Sequence, residues 1–250
     1  MGTDSRVARI SCALGVLGAL LFAVGPALAQ LEAVSPFAAF RVFGAGLLLG
    51  LLALLSGAVG LWQTRAPTGR GGRGPALVGT ILGLLPVAVG VAVVGSAGGA
   101  PAINDITTNP DDPPHFRAAQ TDDANTGRDL RYPGEAFANA QRAAYPDLAP
   151  IRVKGAPDDV YKRCVSAAQE LGWKLTIQDP ATGFFEAIDV TRIFHFVDDI
   201  AVRVRAAGDG TVVDVRSKSR DGKGDLGVNA ARIREILSRV KSAAASGSES

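Results

Sequence analysis

Three uncharged apolar stretches in the first hundred residues constrain this 250-residue chain more than any other feature. Arg9 and Glu32 bracket the first, Arg41 and Arg65 the second, Arg73 and Asp105 the third. At ~1.5 Å of rise per residue, each is long enough as a helix to cross a hydrocarbon core of ~30 Å. Residues 1–100 are therefore read as three transmembrane helices, over about 10–30, 42–62 and 75–97. The N-terminus carries Arg6 and Arg9 against Asp4, and the loop between the second and third stretches carries Arg65, Arg70 and Arg73 with no acid. Two spans separate these segments and so put them on one side, excess arginine marks that side as cytoplasmic, and the third span carries the chain across again. The C-terminal part is then expected outside the cytoplasm.

Charge outside the spans excludes further roles. Residues 1–100 hold six of the 26 Lys and Arg and two of the 24 Asp and Glu, which leaves the rest with 20 bases against 22 acids. A tail this close to neutral lacks the basic footprint of a nucleic-acid binder. No Asp, Glu, Lys, Arg or His lies deep in a span, as transport or proton relay ordinarily requires. With Cys12 in the first span and Cys164 in the tail, the soluble part cannot form an internal disulfide. Arg greatly outnumbers Lys, and Ala, Gly and Val are abundant. That usage fits a bacterial inner-membrane protein, multi-pass, with a periplasmic domain.

Two features of the spans leave alternatives open. Ala27-Leu28-Ala29 before Gln30 has the form of a signal-peptidase site, although the length of the apolar run favours an uncut anchor. Gly46 and Gly50, Ser56 and Gly60, and Gly79 and Gly83 stand at small-xxx-small spacing, which lets helices approach closely, though abundant glycine gives such spacing by itself. Pro86 is expected to kink the third helix.

Residues 101–147 are read as an extended, proline-rich linker, because each proline in Asn109-Pro110-Asp111-Asp112-Pro113-Pro114 biases its predecessor away from helix. Asp105, Asp111, Asp112 and His115 are metal-ligand types, but the spacing lacks the glycine and distal glutamate of a calcium loop, and no metal is assigned. A short helix is expected from Glu135 to Arg142.

Residues 148–241 are read as a soluble α+β domain, and 242–250 as a disordered tail. Ile151 and Val153 mark a strand. Pro157, Asp158 and Asp159 open a helix whose apolar face is Val160, Cys164, Ala167, Ala168 and Leu171, so Cys164 is a core residue. Alternation then gives four strands, around Trp173–Ile177, Phe184–Val190, Ile200–Val204 and Val213–Val215, with a turn at Gly208-Asp209-Gly210. Asp225 caps a last helix with the face Leu226, Ala230, Ile233, Leu237 and Val240. The fold class is α+β: N-terminal transmembrane helices, then a β-α-β-β-β-β-α domain whose antiparallel sheet carries two helices on one face and leaves the other wetter. On that wetter face Arg203, Arg205, Asp214 and Arg216 are expected to pair across strands.

Val197-Asp198-Asp199-Ile200, Arg216-Ser217-Lys218-Ser219-Arg220 and Asp225-Leu226-Gly227-Val228-Asn229-Ala230-Ala231-Arg232-Ile233 carry a resemblance, and Asp105-Ile106-Thr107-Thr108-Asn109-Pro110 and Tyr145-Pro146-Asp147 extend it. Over about residues 103–240 the chain resembles the family catalogued as domain of unknown function 1499. The resemblance implies a family often membrane-attached in bacteria, without established activity, and it fixes no catalytic residue.

Arg216, Lys218, Arg220 and Lys223 stand just before a helix that begins near Asp225 and Asn229, with glycines 222 and 224 freeing the backbone. Cations and a helix N-terminus together can hold a phosphate or carboxylate. Alternatively Arg216 and Arg220 pair with Asp198, Asp199 or Asp214 and lock the loop. Glu186, Asp189, His195, Asp198 and Asp199 supply acid–base types without a recognised catalytic spacing. No catalytic residue and no cofactor is assigned. The reading is a non-catalytic binding or assembly module at the bilayer, engaging another envelope protein, a glycan or an anionic head group. An envelope hydrolase using acids near Asp198 and a structural spacer are the alternatives.

Overall fold

The computed structural model describes residues 4–68 and 70–246, which divide into two compact units. The first comprises Met1–Gly99 together with Arg192–His195. Its helices are α1 (Arg6–Gln30), α2 (Pro36–Gln63) and α3 (Arg73–Ser96), each long and apolar enough to span a membrane. Ser5 caps α1 and Ser35 caps α2, each accepting from the backbone N–H three residues on.

These helices meet along glycines. Gly15 and Gly18 of α1, Gly46, Gly50, Gly57 and Gly60 of α2, and Gly79 and Gly83 of α3 are all buried. A Cβ on Gly15 would lie 2.9 Å from the Cα of Gly79, and one on Gly18 would lie 2.9 Å from the nitrogen of Gly50. Backbones therefore touch where side chains would hold them apart, the packing mode available when lipid removes the hydrophobic drive. The seam of α2 runs through Gly57 rather than Ser56, whose hydroxyl bonds back to Leu52 O at 2.6 Å. Ser11 crosses to Ala53 O at 2.8 Å. Pro86 lies inside α3 and fills the space above Gly50. Leu17, Leu20, Leu48, Leu55 and Leu85 point outward, as lipid-facing side chains do.

The second unit comprises Ala100–Thr191 and Phe196–Ser250, with residues 247–250 outside the described part. Its strands are β1 (Asp105–Thr107), β2 (Ile151–Val153), β3 (Lys174–Asp179), β4 (Phe184–Val190), β5 (Val197–Ala207) and β6 (Gly210–Ser219). Its helices are α4 (Glu135–Ala144), α5 (Pro157–Glu170) and α6 (Val228–Ser246). The antiparallel sheet runs β1-β6-β5-β4-β3, and β2 shares the β6 edge with β1. Val160, Cys164 and Ala168 of α5 and Ala230, Ile233 and Val240 of α6 pack with Phe185, Ile200, Val202, Val213 and Val215 in the main core.

Three expectations are corrected. Asp105–Thr107, expected in the linker, is a sheet strand in register with Thr107 opposite Arg216 and Asp105 opposite Lys218. Its outer edge is closed by Gln141 of α4, whose amide accepts from Thr107 N at 3.0 Å and donates to Thr107 O at 2.7 Å. Prolines stop this region from forming a long helix, but they do not stop it from packing. The chain crosses the second sheet face, where Phe116, Ala119 and Leu130 form a smaller core with Phe184 and Ala201. That face is covered, so β4 is buried on both sides from Phe184 to Ala187. Finally, Leu226 is exposed at φ 54°, and α6 begins at Val228 and continues to Ser246, past the expected start of the tail.

Candidate functional site

Along β6 the motif Arg216-Ser217-Lys218-Ser219-Arg220 alternates, as a strand must, and its two sets of side chains do different work. Arg216, Lys218 and Arg220 face the covering segment. Arg216 is fully buried, and its guanidinium grips Asp105 with both ends, Nε to Oδ1 at 2.9 Å and Nη2 to Oδ2 at 2.8 Å. Its remaining donors reach the carbonyls of Pro114 at 3.1 Å and Leu130 at 2.8 Å, and it stacks over Phe116 at 4.6 Å. Lys218 Nζ adds a second cation to Asp105 at 2.8 Å. One arginine thus ties β1 and two points of the covering segment to β6.

Arg220 repeats the arrangement nearer the surface. It bonds Asp199 and Asp122, both at 2.7 Å, and Asp199 also takes Arg128 at 3.1 Å. Arg128 in turn donates to Ser219 O at 2.7 Å. Asp214 sits between Arg203 at 3.2 Å and Arg205 at 2.7 Å, the cross-strand pairing expected. Glu186, also buried, accepts three consecutive backbone N–H groups, those of Arg117, Ala118 at 3.2 Å and Ala119 at 2.9 Å. Burial raises its pKa above the ordinary glutamate value, with the charge of Asp199 acting in the same sense. Glu186, Asp199, Arg220 and Asp122 line a cleft of about 200 Å³ closed by Ala118, Thr176 and Ile188.

Ser217 and Ser219 point to the helical face. Asn229 is fully buried there and donates to Ser219 Oγ at 2.9 Å, while Arg232 donates to Ser217 Oγ at 3.1 Å and to Asn229 Oδ1 at 2.7 Å. Arg232 also pairs with Asp198 at 2.7 Å and Asp189 at 2.8 Å. Burial raises the pKa of Asp198, against the opposing pull of Arg232. Asp225 accepts from Gly227 N at 2.9 Å and Asn229 N at 2.7 Å, so its own carboxylate occupies the N-terminus of α6.

The residues expected together as an anion site are thereby divided. Arg216, Lys218 and Arg220 lie on one side of the sheet and Asn229 on the other, while Lys223 is exposed in the loop between. Arg216 takes Asp105 rather than Asp198, Asp199 or Asp214, and Arg220 takes Asp199. Asp198 and Asp199, being consecutive on β5, face opposite ways and cannot converge on one substrate. Asp111 pairs with Arg142 at 2.6 Å and Asp112 with Arg203 at 2.9 Å. Among the described residues no three His, Cys, Asp or Glu are placed to hold a metal ion. Cys164 is buried, and desolvation pushes its thiol up to about 12.

The sequence reading missed Asp105, Glu186 and Arg232 as members of these networks. Asn229 and Arg232, spaced i, i+3 on a helix, carried a readable signal for Arg232. Asp105 had none, since its partner lies 111 residues away.

The family comparison matches residues 105–240 to the model described as Protein of unknown function (DUF1499). The chain belongs to this family. The match begins with the first residue of β1 and ends at Val240, a fully buried residue of α6, so the DUF1499 domain includes the covering segment. No curated protein matches the chain.

Proposed function

We propose that this protein is a membrane-anchored, non-catalytic binding or assembly module of the bacterial inner membrane, with its DUF1499 domain outside the cytoplasm. The observation that carries the reading is the internal neutralisation of the motif: Asp105 answers Arg216 and Lys218, Asp199 and Asp122 answer Arg220, and Asp225 fills the helix terminus. Charges committed this way shape and stiffen a surface instead of forming a reactive centre. The part of the motif open to a partner is the loop after Arg220. There Lys223 is exposed, and Asp122 keeps 39% of its side chain accessible, so an anionic group of another envelope component can compete for Arg220. The arginines at the N-terminus and between α2 and α3 support the outward orientation, and the arginine-rich composition supports a bacterial envelope.

Cross-linking in intact cells followed by recovery of the full-length protein tests this. A discrete partner is expected with the native chain and is lost in Lys223→Glu, whose melting temperature stays unchanged. Turnover of an ester, phosphate or glycoside by the native chain, abolished by Glu186→Gln, overturns the non-catalytic reading.

A further inference from the structure

Beyond residues 1–99 the first unit takes in four residues, Arg192–His195, and they sit where α1 ends and α2 begins. Gln30, the last residue of α1, donates through its side-chain amide to Arg192 O at 2.8 Å and Ile193 O at 2.9 Å, and its Nε2 lies 3.1 Å from Nε2 of His195. Phe194 meets the rings of Phe40 and Phe43, near the start of α2, at 5.3 Å each, and Phe22 continues the cluster at 5.0 Å from Phe43. His195 holds a φ of 56°, a conformation that side-chain-bearing residues adopt sparingly.

This arrangement turns Ile193 outward. Its side chain is 58% exposed, in the same end of the unit as Leu31, Val34 and Phe37, which are also exposed. Arg192 beside it is exposed as well. An apolar tip next to a cation, at the level where two spans end, has the composition of the interface between acyl chains and head groups, with arginine reaching back to phosphates. The geometry points to Arg192–His195 as a lipid-interface anchor, with Ile193 seated among the outermost acyl carbons and Arg192 against phospholipid head groups. The surface continues the lipid-facing side of the spans, which identifies phospholipid as its occupant. The inference rests on the bilayer placement of the spans and not on the proposed binding role.

The test uses the full chain in phosphatidylcholine–phosphatidylglycerol vesicles with an environment-sensitive fluorophore on Ile193→Cys, Cys12 and Cys164 being replaced by Ser and Ala. Asp209→Cys in the β5–β6 turn and Leu20→Cys on the α1 surface are the references. A blue-shifted emission at 193, quenched by lipid carrying a nitroxide near the head group and little by aqueous iodide, is expected. Iodide quenching equal to that at 209 overturns the anchor, as does quenching that depends on protein density in the vesicle, which signals a second copy instead. Arg192→Cys provides an independent position should Ile193→Cys fail to fold, and the same shallow-lipid quenching is expected there.

Discussion

Arg216 shows what a fully buried guanidinium requires: a carboxylate in fork geometry, carbonyls for the remaining N–H groups and an aromatic face beneath. Removing one partner from such a site strands the other, so Arg216→Gln is expected to cost about 3–5 kcal/mol in denaturant unfolding of the full-length protein. Lys at the same position will not rescue it, because an ammonium cannot bridge both Asp105 oxygens and two carbonyls. A loss below about 1 kcal/mol, the range of exposed pairs, would show that the network is not buried as described. Glu186 and Asp198 behave differently with pH. Their folded pKa values are raised above 4.5 and 3.8, so the folded state holds protons that the unfolded chain has released. Their ionisation opposes folding as pH rises through the folded values, and that penalty disappears on acidification to the ordinary carboxylate range. Asp112 and Asp147, lowered chiefly by hydrogen bonds from Arg203 and Arg234, act in the opposite sense and lose stabilisation only below 3.8. As pH falls from neutral to 4.5, unfolding should therefore show a stabilising acid trend that weakens in Glu186→Gln, and an identical slope in the variant would refute the assignment.

At the scale of elements, the helices of the first unit depend on glycines that no larger residue can replace. Gly79→Val drives a side chain into the backbone of Ser11 and should sharply lower the melting temperature in detergent, whereas Gly74→Val, with open space around it, should be near neutral. In the second unit Asp225 caps α6 through two backbone N–H groups, and Asp225→Ala should cost about 0.5–2 kcal/mol by chemical denaturation. The strands and helices from Ile151 to Val240 were legible because apolar residues alternated or recurred at helical spacing. So was the cross-strand pairing of Arg203 with Asp214, which follows from strand neighbours. The role of residues 105–132 was not legible. Its prolines report the absence of a long helix, and nothing local reports that Phe116 and Leu130 meet Ala201, or that Asp105 waits for Arg216. Those contacts depend on chain closure over about a hundred residues, a distance at which pattern carries no information. Leu226 misled for the converse reason: its spacing fits the α6 face, but the cap at Asp225 turns the chain before the helix starts.

At the scale of the whole molecule, three apolar helices are joined to a DUF1499 domain whose two-sided motif fastens α6 to one sheet face and the covering segment to the other. On the proposed reading the anchored domain presents a fixed surface on one side of the bilayer, and the side decides which partners can be met. The most direct test is a reporter active only outside the cytoplasm, fused in turn after Lys241 and within the loop at Gly71. With the arginines of the N-terminus and of the α2–α3 loop held inside, activity is expected at Lys241 and not at Gly71. Activity at Gly71 and silence at Lys241 would place the domain in the cytosol and contradict the proposed envelope role.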